Sequence, residues 1–402
     1  MSALRGALDL GVDAVHGITD LIADAQDAVG RTVRRAVSPE PRLHRAASAV
    51  DDLRHGLTEA VHATVRGVAS GVGLAAHAGL DALGDPPPPP TVPTRSDGKR
   101  QAPWILDASQ GLVNGVFGDH LRRRGNALDL GARLRLGDAY LPDDPSAWPE
   151  HLRGIASRVV VFVHGLATTE WCWWMDAEAK LGDPTASFGT RIESELGWTP
   201  LYLRYNTGVP TAESGEALAK LLDALASTAP GLSDLAVVGH SMGGLVVRQA
   251  CAAADRRGHR WLHPLRHAFC LGAPHRGAGL ARWNEGFSER LLGVDLPGTR
   301  VVGRLLGLRS TGISDLCHGL DFDTAPLTPD VTWHFVAASL SRQARPWVDL
   351  GIGDLLVDVP SALCPGSGGD VRTHRFGGVG HTGLTTDPRV LAVLREALAD
   401  VG

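Results

Sequence analysis

From about residue 155 onward, short runs of β-branched and aromatic residues alternate with stretches of helical apolar spacing, and this alternation constrains the fold more than any other feature. The strand candidates are Arg158–Val163, Leu201–Tyr205, Leu235–Val238, His267–Leu271, Thr332–Ala337 and Arg372–Phe376. Helical patterns fill several gaps, notably Ala212–Ala226 and Met242–Ala254. Runs as apolar as Val159-Val160-Val161-Phe162-Val163 suit strands covered on both faces. The expected class is therefore α/β, a mainly parallel sheet with helices on both sides. In such sheets, sites gather beyond the carboxyl ends of the strands.

The amino-terminal part reads differently. Pro86 to Pro90, with Pro93 following, favours a stiff polyproline II spacer that no helix can contain. Before it, Leu4, Leu8, Val12, Val15, Ile18, Ile22 and Val29 recur at helical spacing, as do Val50, Leu53, Leu57, Val61 and Val65. The expected organisation is an amphipathic helical region over 1–84, a proline-rich linker over 85–103 and a catalytic domain over 104–402. Two one-faced helices must bury their stripes somewhere. A hairpin packed on the enzyme or on a second copy is one reading, and a lipid-surface or partner contact through residues 1–84 is the other.

A formal net charge of -5, with only the short Arg122-Arg123-Arg124 run as a basic patch, argues against a nucleic-acid partner. The five cysteines have no paired spacing and suggest neither a disulfide framework nor a zinc site. Early acidic residues, Asp9 and Asp13, and the lack of a basic-then-apolar leader pattern make a cytoplasmic location the expectation.

The chemistry-bearing motif is Leu235-Ala236-Val237-Val238 running into Gly239-His240-Ser241-Met242-Gly243-Gly244 and then a helix. A strand, a sharp turn and a helix give Gly-x-Ser-x-Gly its meaning: the glycines make room, and the serine is lifted out at the amino end of a helix. Ser241 is the expected nucleophile. An oxyanion needs two donors. The expected ones are the N–H of Met242, after the nucleophile, and of Leu166, in the loop Val163-His164-Gly165-Leu166. His164 reads as a structural loop histidine, because the base should come later in the chain.

A carboxylate and then a histidine should follow the serine. His381, in Gly377-Gly378-Val379-Gly380-His381-Thr382-Gly383, is the expected base. Asp354, in Gly351-Ile352-Gly353-Asp354, is the expected acid, with Asp349 and Asp358 as rivals. His374 reads as structural.

At these residues the sequence resembles the α/β-hydrolase superfamily, in particular lipase-like members related to glycosylphosphatidylinositol inositol-deacylases. The matching pieces are Val161–Leu166, Gly239–Gly244, Leu271-Gly272-Ala273-Pro274-His275-Arg276-Gly277, Gly353–Val357 and Val379–His381. Asp354 is followed by Leu355 where the family commonly has glycine. The resemblance implies a cofactor-free serine hydrolase that cleaves a carboxylic ester of a lipid or other small hydrophobic substrate through a Ser-His-Asp triad and an acyl-enzyme. It also implies that His275 and Arg276 shape the pocket. An acyltransferase with the same triad, or a lipid-surface scaffold on a vestigial hydrolase fold, are the alternatives.

The stretch from about 278 to 330, with Trp283, Phe287, Leu291 and Leu305, lies where such proteins place a lid, and a fixed helical layer is the other reading. Trp171, Cys172, Trp173 and Trp174 follow the oxyanion loop and could wall an acyl pocket. His259, His263 and His267 have helical spacing, but Pro264 interrupts it, so no metal is expected. The oligomeric state is not legible.

Overall fold

Eight strands form one sheet in the order β2-β1-β4-β3-β5-β6-β7-β8 in the computed structural model. They are β1 (Ala132–Leu136), β2 (Ala139–Tyr140), β3 (Arg158–Val163), β4 (Thr199–Tyr205), β5 (Asp234–His240), β6 (Leu265–Leu271), β7 (Thr332–Ser339) and β8 (Asp370–Gly377). The structure describes residues 103–124, 126, 128–277, 310–321, 325–343, 349, 353–354, 356–363 and 369–401. The expected helical region 1–84, the linker up to residue 102 and, within the insertion, residues 278–309 lie outside the described residues.

From β4 to β8 every pairing is parallel. The sequence reading missed β1 and β2, which add an antiparallel edge: β1 pairs with β4 on one side and with the two-residue β2 on the other. The six strands read from the sequence all form, most of them longer by one or two residues at an end.

Among the described residues, the helices of eight residues or more are α1 (Pro103–Arg124), α2 (Phe188–Leu196), α3 (Thr211–Thr228), α4 (Met242–Arg257), α5 (Thr311–His318) and α6 (Pro388–Ala399). The period-two pleat divides β3 between two cores. Val159, Val161 and Val163 pack with Leu218 and Leu222 of α3 and Leu245 and Val246 of α4. Val160 and Phe162 pack on the other face with Phe188 and Ile192 of α2 and Leu391 and Leu394 of α6. A sheet covered on both faces explains why the strand runs are continuously apolar rather than alternating.

Helix α1 was not expected, and it has an unusual face. Gly111, Gly115 and Gly118 share one side of it. A Cβ at Gly115 would sit 2.7 Å from the Cβ of Ala167, and one at Gly118 would overlap the side chain of Asn206. The helix backbone therefore rests directly on the loops that follow β3 and β4. Asn114 anchors it by accepting from Leu130 N–H at 3.0 Å and donating to the Leu128 carbonyl at 2.8 Å.

The strand order reverses between β3 and β5. The chain steps from β3 outward to β4, then returns past β3 to β5 and continues the other way. This is the switch point at which open α/β sheets leave a crevice.

Candidate active site

Ser241 follows β5 at that crevice and opens α4 with φ 54° and ψ −124°, a conformation that L residues rarely adopt. Its amide donates to the Leu271 carbonyl at 2.8 Å and its carbonyl accepts from Gly244 N–H at 3.0 Å, which pins the turn from both sides. A Cβ at Gly239 would overlap the Gly243 carbonyl, and one at Gly243 would overlap the carbonyl of Val163. The strand, turn and helix can approach this closely only with glycine at both places. Together with the sheet order, this turn completes the architecture. The fold is that of an α/β-hydrolase.

The loop after β3 lies against the nucleophile turn: a Cβ at Gly165 would be 3.0 Å from the Cβ of Ser241. Several bonds fix this loop. The Gly165 carbonyl accepts from His164 Nδ1–H at 3.0 Å and from the Thr168 hydroxyl at 2.9 Å. Tyr205 donates its hydroxyl proton to the His164 carbonyl at 2.8 Å, and Ala167 N–H donates to Thr207 Oγ1 at 3.1 Å. Burial pushes the His164 pKa down to about 4, so this ring is a neutral strut. Among the described residues, no backbone carbonyl accepts from the N–H of Leu166 or of Met242.

His381 follows β8 and donates Nδ1–H to Asp354 Oδ2 at 2.7 Å, both side chains being buried. The other carboxylate oxygen, Oδ1, accepts from the N–H groups of Leu356 at 3.0 Å and Val357 at 2.8 Å. The carboxylate is thus oriented by its own loop before it meets the imidazole. The two rival carboxylates are engaged elsewhere. Asp349 pairs with Arg375 at 2.7 Å and accepts from the Ser339 hydroxyl at 2.7 Å, while Asp358 caps the short helix Val359–Ala362 through Ser361 N–H at 2.7 Å.

Ser241 and His381 line one cavity of about 310 Å³. Nε2 of His381 is buried and has no hydrogen-bond partner, and the Ser241 hydroxyl donates none to it. Leu166 belongs to the same wall, with Cys172, Met175, Pro274, Ile313 and Leu316 among the apolar lining residues. Among the described residues, no Asp, Glu, Lys or Arg lines the cavity.

The three side chains that sequence reasoning placed on the substrate side do not line this cavity. Trp171 turns onto Arg135, whose guanidinium lies 4.3 Å from its ring. His275 is fully buried against Phe335, with ring centroids 5.0 Å apart. Arg276 is exposed, and its N–H donates to Ser361 Oγ at 3.0 Å. Linear closeness to a catalytic loop does not say which way a side chain points. Of the Trp171–Trp174 run, only Cys172 reaches the cavity. Glu170, beside it, is buried and anchors the segment by accepting from Arg204 at 2.8 Å and from the Tyr140 hydroxyl at 2.5 Å.

One residue of the site escaped the sequence reading. His240 is buried beside Ser241, lines the cavity, and donates Nε2–H to the His381 carbonyl at 3.1 Å. Its place as the variable residue of Gly-x-Ser-x-Gly gave no signal. Among the described residues, no cluster of three or more His, Cys, Asp or Glu side chains is placed to hold a metal ion, and no helix is long and apolar enough to cross a membrane.

No protein-family model matches the chain, and the search of curated proteins finds no match. Among solved structures, the chain is similar to the Bacillus licheniformis lipase BlEst2 in its propeptide form, at 17% identity and TM-score 0.45, over 67% of this chain and 54% of that one. It therefore spans about half the length of that form. The mature form of the same lipase matches at 17% identity and TM-score 0.44, over 66% of this chain and 97% of that one. Aspergillus fumigatus lipase B matches at 13% identity and TM-score 0.39, over 62% and 55% of the two chains.

Proposed function

We propose that the chain is a serine hydrolase that cleaves a neutral carboxylic ester with an apolar acyl group. One observation carries the reading: the Asp354–His381 pair leaves Nε2 of the imidazole unpartnered in the same cavity as a serine on a strained strand-to-helix turn. His381 Nε2 takes the Ser241 proton as Oγ attacks the acyl carbonyl, and the carbonyl π electrons move onto oxygen. The N–H groups of Leu166 and Met242 stabilise that oxyanion, each donor being worth about 3–4 kcal/mol of barrier. Asp354 holds the ring in the Nδ1–H tautomer and stabilises the imidazolium. The tetrahedral intermediate collapses, the imidazolium gives its proton to the departing alkoxide, and an acyl-Ser241 remains. Water, deprotonated by His381, then releases the carboxylic acid and restores the serine.

The lining supports the substrate class. An ionised acyl or alcohol group in this cavity would lose its hydration without gaining a counter-charge from any of the described lining residues. The volume suits a medium-length chain, near the lower end of ordinary ligand pockets. Kinship with the inositol-deacylase-like branch rests on the five sequence motifs. A peripheral lipid contact through residues 1–84 is a separate proposal, tested by vesicle flotation of the full chain against a chain lacking them.

A fluorophosphonate probe tests the reading directly. Wild-type protein should be labelled and Ser241→Ala should not. On p-nitrophenyl esters, octanoate should be turned over faster than palmitate, and a monoester carrying a free carboxylate should be a poor substrate. An unlabelled wild type would sink the assignment.

A further inference from the structure

We propose that His240 is a positioning residue that holds the main chain of His381, so that the nucleophile and the base are connected through a single peptide unit. The inference rests on the reading of Ser241, His381 and Asp354 as a triad. His240 ends β5 and immediately precedes Ser241. By the strand period its side chain falls on the same face as Ala236 and Val238, toward the core that contains Trp173 and Leu384.

The bond to His381 defines the chemistry of the ring. A carbonyl oxygen can only accept, so Nε2 of His240 carries the proton and Nδ1 is bare. The ring lies 4.9 Å from the His381 ring at 47°, and Trp173 closes the other side at 6.4 Å. Burial, reinforced by the neighbouring His381, pushes its pKa down to about 3. His240 therefore stays neutral while its neighbour takes up a proton, and adds no charge against the imidazolium.

The loop that carries the base needs such a tether. Gly377, Gly378 and Gly380 precede His381, and Gly378 takes a positive φ of 72°. Such a run has little stiffness of its own. Asp354 fixes the rotation of the His381 ring through Nδ1, and Val379 N–H holds the loop to the Ser339 carbonyl at 3.2 Å, but neither bond reaches the main chain of His381 itself. His240 supplies the second anchor, on the carbonyl of the same residue. Because the tether belongs to the residue next to Ser241, a displacement of the nucleophile turn carries the base with it.

Three variants and one wild-type measurement test this. His240→Leu and His240→Met remove the donor at similar volume, and His240→Gln presents an amide N–H at similar reach. Loss of the tether should lower kcat about ten- to hundredfold, with KM within about twofold, as expected when reacting groups lose alignment. His240→Gln should recover most of that loss. The downfield proton resonance of His381 Nδ1–H, read without turnover, should be sharp in wild type and His240→Gln and broadened in the apolar variants. Wild-type kcat in an apolar variant, or a glutamine variant as impaired as leucine, overturns the proposal. In wild-type protein, long-range nitrogen–proton spectra should show His240 protonated at Nε2. An Nδ1–H tautomer there refutes the tether even if no variant folds. Failure of the triad is distinguishable, because it would appear as wild-type protein unlabelled by fluorophosphonate.

Discussion

Ser241 occupies φ 54° and ψ −124° because the strand, the turn and α4 leave it no other path, and such backbone costs about 1–3 kcal/mol at a non-glycine residue. Ser241→Gly should therefore be more stable than Ser241→Ala by about 1 kcal/mol, both variants being inactive; urea denaturation of the pair checks this. The carboxylates separate just as cleanly. Asp354→Asn should lower kcat about a thousandfold or more with little change in fold, because an amide can hold the imidazole in the wrong tautomer. Asp349→Asn should leave kcat intact and lower stability, since its partners are Arg375 and Ser339. Comparing kcat and Tm across the two variants tests the assignment. Ser241, Asp354 and His381 could be singled out in the sequence because each sits in a glycine-framed loop after a strand. His240 could not, since the motif tolerates any residue there. Trp171, expected at the pocket from its place after the oxyanion loop, and His275 and Arg276, expected there from the family resemblance, are not among the residues lining the cavity, because neither chain position nor a matching motif fixes where a side chain points.

At the scale of elements, continuous apolar runs made the central strands legible, and β3 to β7 correspond to them, whereas the edge strand β8 is largely polar. Strand β1, Ala132-Arg133-Leu134-Arg135-Leu136, alternates arginine with leucine, a period-two signal only five residues long that the sequence reading passed over. Helix α1 lacks an apolar stripe altogether. Its contact face is made of glycines that pack backbone to backbone, which no hydrophobic period can announce. That contact has a functional corollary. Gly115 meets Ala167, next to the Leu166 N–H proposed for the oxyanion, and Ala167 itself has a positive φ of 56°. Gly115→Leu should push this loop and lower kcat about tenfold or more, while KM on a short ester changes little. Equal kcat in wild type and variant would remove α1 from any part in the oxyanion geometry.

Across the whole molecule, histidines held neutral link stability to pH. Burial is the largest cause in every case: His164 is lowered to about 4, and His240 and His334 to about 3, from an ordinary 6.5. His267, His334 and His374 also form a row across β6, β7 and β8, with ring nitrogens 3.2 and 3.4 Å apart, and the first and last are lowered too. The unfolded chain takes up protons below about 6.5 where the folded one does not. Stability is therefore complete above that value and declines as pH falls toward 4, by about 1.4 kcal/mol per pH unit for each fully buried ring. Denaturation between pH 8 and 5 should show this slope, and His334→Phe should flatten it; a level curve would contradict the neutral assignment.

Ile313 and Leu316 of α5 line the cavity, and α5 is moored by side chains outside the Ser241, Asp354 and His381 set. Ser310 is bonded to the Gly115 carbonyl, Thr311 to Asp119, and Asp315 to Thr211. None of these moorings passes through Ser241, Asp354 or His381. Selection can thus recut the room given to an acyl chain, residue by residue, while the proton traffic beside it continues undisturbed.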